Sequence, residues 1–207
     1  MTRPLGVILA GGLATRMGGG DKGLLDISGQ TLLARVIKRL ASQVDDLALN
    51  ANGEPDRFAE FDLPVLTDSI EGFAGPLAGV LAGLDWAASK GAETIVTVAA
   101  DTPFFPRDLV SELQCAADTS QTQIALAATP DPKRGTAHHP TFGLWPVALR
   151  EDLRAALTGG LRKVVIWTDQ HGAGTAMFEI NGVDPFFNVN TPEDLQMARQ
   201  IISEGAA

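Results

Sequence analysis

The sequence predicts an α/β fold in which a mostly parallel sheet is covered by helices. Short apolar bursts alternate with segments of helical period along the chain, the βαβα order that builds parallel sheets. The first burst, Leu5 to Ala10, runs directly into a glycine-rich loop, and ligand loops sit at the carboxyl ends of strands in such sheets. The chain has 207 residues, 45% hydrophobic and 20% charged, enough to bury the core of one ordinary to large domain. No linker, low-complexity tract or internal repeat divides it, so residues 1–207 are expected to form a single domain.

Each element follows from its local pattern. Leu5–Ala10 reads as a strand, Thr31–Gln43 as an amphipathic helix, Asp46–Asn50 as a second strand and Pro64–Thr67 as a short third one. Pro76–Ser89 opens with a proline suited to a first helical turn, and Thr94–Ala99 is strongly β-branched. Pro106–Ala117 reads as a helix, Ile124–Ala128 and Pro140–Trp145 as strands, and Val147–Leu157 as a helix. Leu161–Gln170 fits helix or strand, with helix preferred, Thr175–Ile180 is a late strand, and Pro192–Ser203 is the last helix.

The stretch from Leu9 to Gly23 is the most informative one, because glycines interleave with two spaced cations, Arg16 and Lys22. Closely spaced phosphate oxygens call for backbone N–H groups that can approach without a Cβ in the way. Arg16 offers a planar fork for phosphate oxygens, and Lys22 a compact charge where a leaving group builds up negative charge. Two better-known phosphate motifs do not apply. Gly18, Gly20 and Gly23 satisfy the dinucleotide spacing but lie well past the strand end, and Asp21-Lys22-Gly23 lacks the Ser or Thr entering a helix that a Walker A loop needs.

Three other strand ends carry polar groups. Asp101 follows Thr94–Ala99, where a carboxylate beside a phosphate loop suits a hard cation such as Mg²⁺, although a turn or helix cap would equally use an aspartate. Asp68 follows Pro64–Thr67, and Asn50 and Asn52 follow the strand before it. Such side chains can pair with the N1–H, N2–H₂ or O6 of guanine, and they can also simply cap loops. Asn188 and Asn190 precede Thr191-Pro192-Glu193-Asp194, a helix start with a capping-box carboxylate.

Composition narrows the function further. A net charge of −9 argues against nucleic-acid and membrane-surface partners, which favour a basic face. The lone Cys115 cannot form an internal disulfide and reads as a packing residue. His138, His139 and His171 lack metal-ligand spacing, and no hydrolase nucleophile motif is present. With neither a signal-peptide pattern nor a bilayer-length apolar run, a cytoplasmic enzyme is expected.

Taken in order, Leu9-Ala10-Gly11-Gly12, Arg16-Met17-Gly18-Gly19, Asp21-Lys22-Gly23-Leu24-Leu25, Asn50-Ala51-Asn52, Gly75-Pro76-Leu77-Ala78-Gly79, Asp101-Thr102-Pro103 and Phe187-Asn188-Val189-Asn190-Thr191-Pro192-Glu193 resemble the molybdenum cofactor guanylyltransferase family over nearly the whole chain. The resemblance implies a Rossmann-like three-layer sandwich of the nucleotide-diphospho-sugar-transferase type. It also implies an enzyme that joins GMP from GTP to the phosphate of molybdopterin and releases pyrophosphate. On that pattern Leu9, Ala10, Gly11, Lys22, Asn50, Asp68 and Asp101 contact GTP and Asp101 binds Mg²⁺; charge neutralisation as pyrophosphate departs makes Arg16, Lys22 and Asp101 the expected catalytic residues. The amino-terminal part would then hold GTP and the carboxyl-terminal part molybdopterin, with Asn188, Asn190 and Arg162 as its candidate contacts. His139, Lys163 and the Lys133-Arg134 pair are further candidates for its phosphate. Molybdenum-insertion proteins and molybdoenzyme chaperones are candidate protein partners. The rival readings are a nucleotidyltransferase with another base or acceptor, such as a cytidylyl or sugar-phosphate enzyme, and a non-catalytic nucleotide or cofactor carrier.

Overall fold

The computed structural model describes residues 3–11, 21–70, 72 and 75–205. The sheet begins at β1 (Leu5–Leu9), whose alternate side chains serve two different layers. Leu5 and Val7 join the core on one face and Ile8 the core on the other, as the two-residue period of a strand requires. Gly6 permits close packing, since a Cβ there would fall 2.6 Å from Leu47 Cδ2 and 3.0 Å from Leu40 Cδ2.

The chain returns at a 3-10 turn, Lys22–Leu24, and makes a small hairpin of β2 (Asp26–Ile27) and β3 (Gln30–Thr31). Ser28 and Gly29 at its tip both have positive φ, the geometry that matches the strand twist of a two-residue turn. Helix α1 (Leu32–Ala41) starts where the Thr31 hydroxyl accepts the Ala34 N–H at 3.1 Å. Its Leu33, Val36 and Leu40 enter the core, while Lys38 and Arg39 lie in the last turn, where the helix dipole favours cations.

Next come β4 (Leu47–Asn50), β5 (Val65–Leu66), α2 (Pro76–Ser89), β6 (Thr94–Ala99) and α3 (Leu109–Thr119). They are followed by β7 (Ala125–Asp131), β8 (Gly135–Pro146), α4 (Arg150–Thr158), α5 (Val164–Gln170), β9 (Gly174–Met177) and α6 (Pro192–Ser203). The sheet order is β5-β4-β1-β6-β8-β7-β9, and β8 alone runs against the rest. Helices α1 and α3 cover one face, and α2, α4 and α5 the other. Helix α6 packs on a third cluster with Ile27, Leu32, Phe104 and Val189. This is the predicted three-layer α/β architecture with a mostly parallel sheet. Among the described residues, no helix is long and apolar enough to cross a membrane.

Several boundaries differ from the sequence reading for physical reasons. Helix α3 starts at Leu109 rather than Pro106, and its Val110 N–H is capped at 3.0 Å by the Gln43 side chain, a partner remote in sequence. The segment expected as one helix from Val147 is a 3-10 turn, Val147–Leu149, followed by α4. The two strands expected at Ile124–Ala128 and Pro140–Trp145 are arms of one long hairpin, β7 and β8. Cys115 is exposed, because the buried face of α3 consists of Leu109, Val110, Leu113 and Ala117.

One buried polar relay shapes the later site. Opposite β7 the register passes from Gly143 to His139, so residues 140–142 bulge out of the hairpin. Thr97, fully buried on β6, donates to the Thr141 carbonyl at 2.9 Å and accepts the Trp145 indole N–H at 2.8 Å. The bulge is thereby pinned to the centre of the sheet.

Candidate active site

Strands β4 and β6 flank β1 on opposite sides, so the chain changes direction across the sheet at β1. A crevice is expected outside the carboxyl ends of strands at such a switch point. A cleft of about 490 Å³ lies there, lined by residues from the ends of β1, β4 and β6 and by Thr141 from the bulge.

At one end of the cleft the three central strands bring their carboxyl ends together. The Ala10 N–H bonds the Asn50 carbonyl at 2.8 Å and the Ala100 N–H bonds the Leu9 carbonyl at 3.1 Å, so the three strands stay paired up to the crevice. Leu9, Ala10 and Gly11 all line it, and a Cβ on Gly11 would meet nothing within 4 Å. Arg16 lies outside the described residues. Lys22 is brought to the cleft by its 3-10 turn, which packs closely: a Cβ on Gly23 would sit 3.3 Å from Leu33 Cβ and 3.5 Å from Ala100 Cβ. The ammonium donates to Asn190 Oδ1 at 2.5 Å and stands 3.6 Å from Asp101 Oδ2.

Asp101 follows β6 and is fixed through its backbone, its carbonyl accepting the Val189 N–H at 2.9 Å. The Thr102 hydroxyl lies against Asp101 Oδ1 at 3.3 Å and donates to Asn188 Oδ1. Asn190 is oriented by the start of α6, where Asp194 accepts the Asn190 and Thr191 N–H groups at 2.9 Å each and its own N–H bonds Thr191 Oγ1. The expected capping box is therefore present, and it also aims a cleft residue. Among the described residues no cluster of three His, Cys, Asp or Glu forms a protein-only metal cage. Asp101 offers the cleft a single hard carboxylate.

The other end carries a different network. Asn50 is buried and donates to the Leu66 carbonyl at 3.2 Å and to Asp68 Oδ1 at 3.0 Å. Asn52 donates to Asp68 Oδ2 at 2.8 Å and accepts the Asp68 N–H at 3.0 Å. Two amides thus brace one carboxylate. Gly79 on α2 makes room for this, since a Cβ there would lie 2.2 Å from Asn50 Oδ1 and 2.7 Å from Leu9 Cδ2. Gly79→Ala is expected to cost about 1–3 kcal/mol of stability, because its packed neighbours must move. Urea denaturation checks it, and wild-type stability would mean that Asn50 can shift freely.

The structure therefore gathers Leu9, Ala10, Gly11, Lys22, Asn50, Asp68, Asp101 and Asn188 around one cleft, with Asn190 joined to it through Lys22. Asn188 and Asn190 meet Thr102 and Lys22, at the same end as Asp101. Arg162, on the link from α4 to α5, is exposed and does not line the cleft. The Lys133 and Arg134 N–H groups close the β7–β8 hairpin on Asp131. Sequence reasoning missed Thr141, whose place in the cleft depends on the bulge.

His139 stacks on Phe186 at 4.2 Å and shares a hydrogen bond with Thr129 at 2.9 Å. Burial pushes its pKa below the ordinary 6.5, His138 adds to the effect, and Asp184 opposes it. Below pH 6.5 the unfolded chain therefore takes up a proton that the folded chain refuses, so stability falls with acidification until the folded value is reached. His139→Gln is expected to flatten that part of a Tm-against-pH curve. An unchanged slope would assign the acid sensitivity to other groups.

Comparison with known proteins adds the following. Residues 6–173 match the MobA-like NTP transferase domain family. A molybdenum cofactor guanylyltransferase of Bradyrhizobium sp. (strain ORS 278) is 53% identical over 199 residues, covering 95% of this chain and 92% of the relative. One from Cereibacter sphaeroides is 46% identical, covering 99% and 100%. Among solved structures, molybdopterin-guanine dinucleotide biosynthesis protein A of Archaeoglobus fulgidus superposes with a TM-score of 0.72 at 18% identity, covering 97% of this chain and 99% of that one. A CMP:2-keto-3-deoxy-manno-octonic acid synthetase complexed with CTP superposes with a TM-score of 0.73 at 15% identity, covering 99% and 100%. These last two likenesses concern the fold.

Proposed function

Since the chain belongs to the MobA-like NTP transferase family, with molybdenum cofactor guanylyltransferases among its relatives, we propose that it transfers GMP from GTP to the phosphate of molybdopterin, forming the guanine dinucleotide cofactor and pyrophosphate. The carrying observation is the cleft itself. A cation and a carboxylate, Lys22 and Asp101, stand at one end, and Asp68 braced by two asparagines stands at the other.

In the reaction an oxygen of the acceptor phosphate attacks the α-phosphorus of GTP, the bond to the bridging oxygen of the β-phosphate breaks, and pyrophosphate leaves with that electron pair. A phosphate monoester has a second pKa of about 6, so the nucleophile is already anionic and needs no general base. Catalysis then rests on alignment and charge neutralisation, which explains a cleft without a catalytic histidine. Lys22 meets the charge that builds on the departing pyrophosphate, and Arg16 is assigned the same role. Asn188 and Asn190, whose amides both donate and accept, face the acceptor from the Lys22 end.

Asp68 accepts from guanine N1–H and N2–H₂, while Asn50 and Asn52 hold its carboxylate in place. Cytosine and adenine lack that paired donor edge, so they cannot give the carboxylate the two further hydrogen bonds that guanine does. Mg²⁺ suits the cleft because it takes one or two carboxylates together with substrate phosphates, and of the two lining carboxylates Asp101 is the one beside Lys22. When bound there it would supply charge neutralisation to the triphosphate. The enzyme is placed in the cytoplasm, where GTP is drawn upon.

Titration with GTP, CTP and ATP in the presence of Mg²⁺ tests the donor. GTP is expected to bind about a hundredfold more tightly, the scale of a hydrogen-bonded pair of donors lost from a carboxylate. Equal affinity for CTP would favour the cytidylyl reading.

A further inference from the structure

We propose that Arg57 is a positioning residue that couples guanine recognition to the placement of Lys22, by joining the loop that holds Asp68 to the turn that carries the lysine. The inference rests on the reading of GTP as donor. Arg57 belongs to the 3-10 segment Pro55–Phe61 and is absent from the cleft wall. Its guanidinium nevertheless contacts both the loop after β4 and the residue preceding Lys22.

The contacts are specific to each side. Arg57 Nε forms an ion pair with Asp21 Oδ2 at 2.6 Å without an aligned hydrogen bond, and the Asp21 carbonyl accepts the Leu24 N–H that closes the turn beginning at Lys22. Its Nη2 donates to the Asn52 carbonyl at 2.5 Å, and its Nη1 donates to the Glu54 carbonyl at 2.5 Å. Asn52 is the residue that grips Asp68 from both directions. A continuous path of contacts therefore runs from the Asp68 carboxylate through Asn52, Arg57 and Asp21 to Lys22.

The guanidinium is also seated. It lies over the buried Phe58 ring at 4.6 Å, and both it and Asp21 are largely shielded, with side-chain exposures of 26% and 15%. Gly53 turns with φ of +86°, and a Cβ there would approach Arg57 Nη1 to 3.2 Å, so the loop is shaped around the arginine. The planar guanidinium hydrogen-bonds two carbonyls of one loop while its charge faces Asp21 of the other, and a lysine ammonium can reproduce the charge but not the paired carbonyl contacts. A base that satisfies Asp68 settles Asn52, and the fork carries that constraint to the turn that presents Lys22. A triphosphate with the wrong base leaves the turn less well placed.

A coupling measurement decides this. Inosine triphosphate lacks only the guanine amino group, so kcat/KM and affinity for GTP and for inosine triphosphate are compared in wild type, Lys22→Ala, Arg57→Gln and the double variant. In the wild-type background Lys22→Ala is expected to penalise GTP about tenfold more than inosine triphosphate, a coupling within the range for residues in one network. In the Arg57→Gln background that difference should vanish. Arg57→Lys, which keeps the charge beside Asp21, should restore the urea midpoint but not the coupling, separating positioning from loop closure. A difference that survives in Arg57→Gln, or is absent from the wild type, overturns the proposal. Should the wild type bind GTP yet transfer no GMP, the guanylyl-transfer reading fails, and the same comparison made in affinity still decides the role of Arg57.

Discussion

Replacing Asp101 by asparagine is expected to lower kcat for guanylyl transfer about 10³-fold, the upper end for one electrostatic group in a preorganised site, while the chain stays folded. The side chain is isosteric, and Asp101 is anchored through its backbone carbonyl to Val189, a bond that asparagine keeps. What changes is the charge offered to the cleft. The carboxylate faces Lys22 at 3.6 Å and is the group proposed to hold a metal accompanying the triphosphate. Raising Mg²⁺ should therefore recover little of the lost rate. Wild-type turnover in Asp101→Asn across a Mg²⁺ titration would remove Asp101 from the reaction.

Lys22→Ala is expected to lower the single-turnover rate at saturating GTP by about 10²–10³-fold. Its ammonium stands at the junction of three segments, beside Asp101 from β6 and Asn190 from the start of α6. The structural cost should be small, about 1 kcal/mol or less, because a partly exposed ion pair contributes little to folding. Rate and stability are thus predicted to separate. A variant with an unchanged single-turnover rate would place the stabilising charge elsewhere, and a variant that unfolds would make the lysine a structural strut.

The elements that recognise their own sequence were legible in advance. Pro76–Ser89, Thr94–Ala99 and Pro192–Ser203 have the bounds read from proline, β-branching and the capping box. That Asp101, Asp68 and Asn50 meet at one sheet edge was legible for the same reason, since strand ends are visible as the limits of apolar bursts. What escaped depends on partners distant in the chain. The start of α3 is set by Gln43, some 67 positions away, and the bulge that presents Thr141 is held by Thr97. Arg57 escaped because its neighbours Asp21 and Asn52 come together only when β1 and β4 pair. Asn188 and Asn190 were legible as polar side chains before a helix, but their proximity to Thr102 and Lys22 was not, as it requires α6 to pack back on the first hairpin.

The most direct test of guanylyl transfer follows the phosphorus. GTP labelled at the α-phosphate is incubated with molybdopterin, Mg²⁺ and the enzyme, and the products are separated and counted. The account predicts that the label enters a dinucleotide containing guanine and pterin, that unlabelled pyrophosphate appears in equal amount, and that CTP and ATP give no comparable product. Label that stays in GTP, or that appears in free GMP without a pterin dinucleotide, would contradict it.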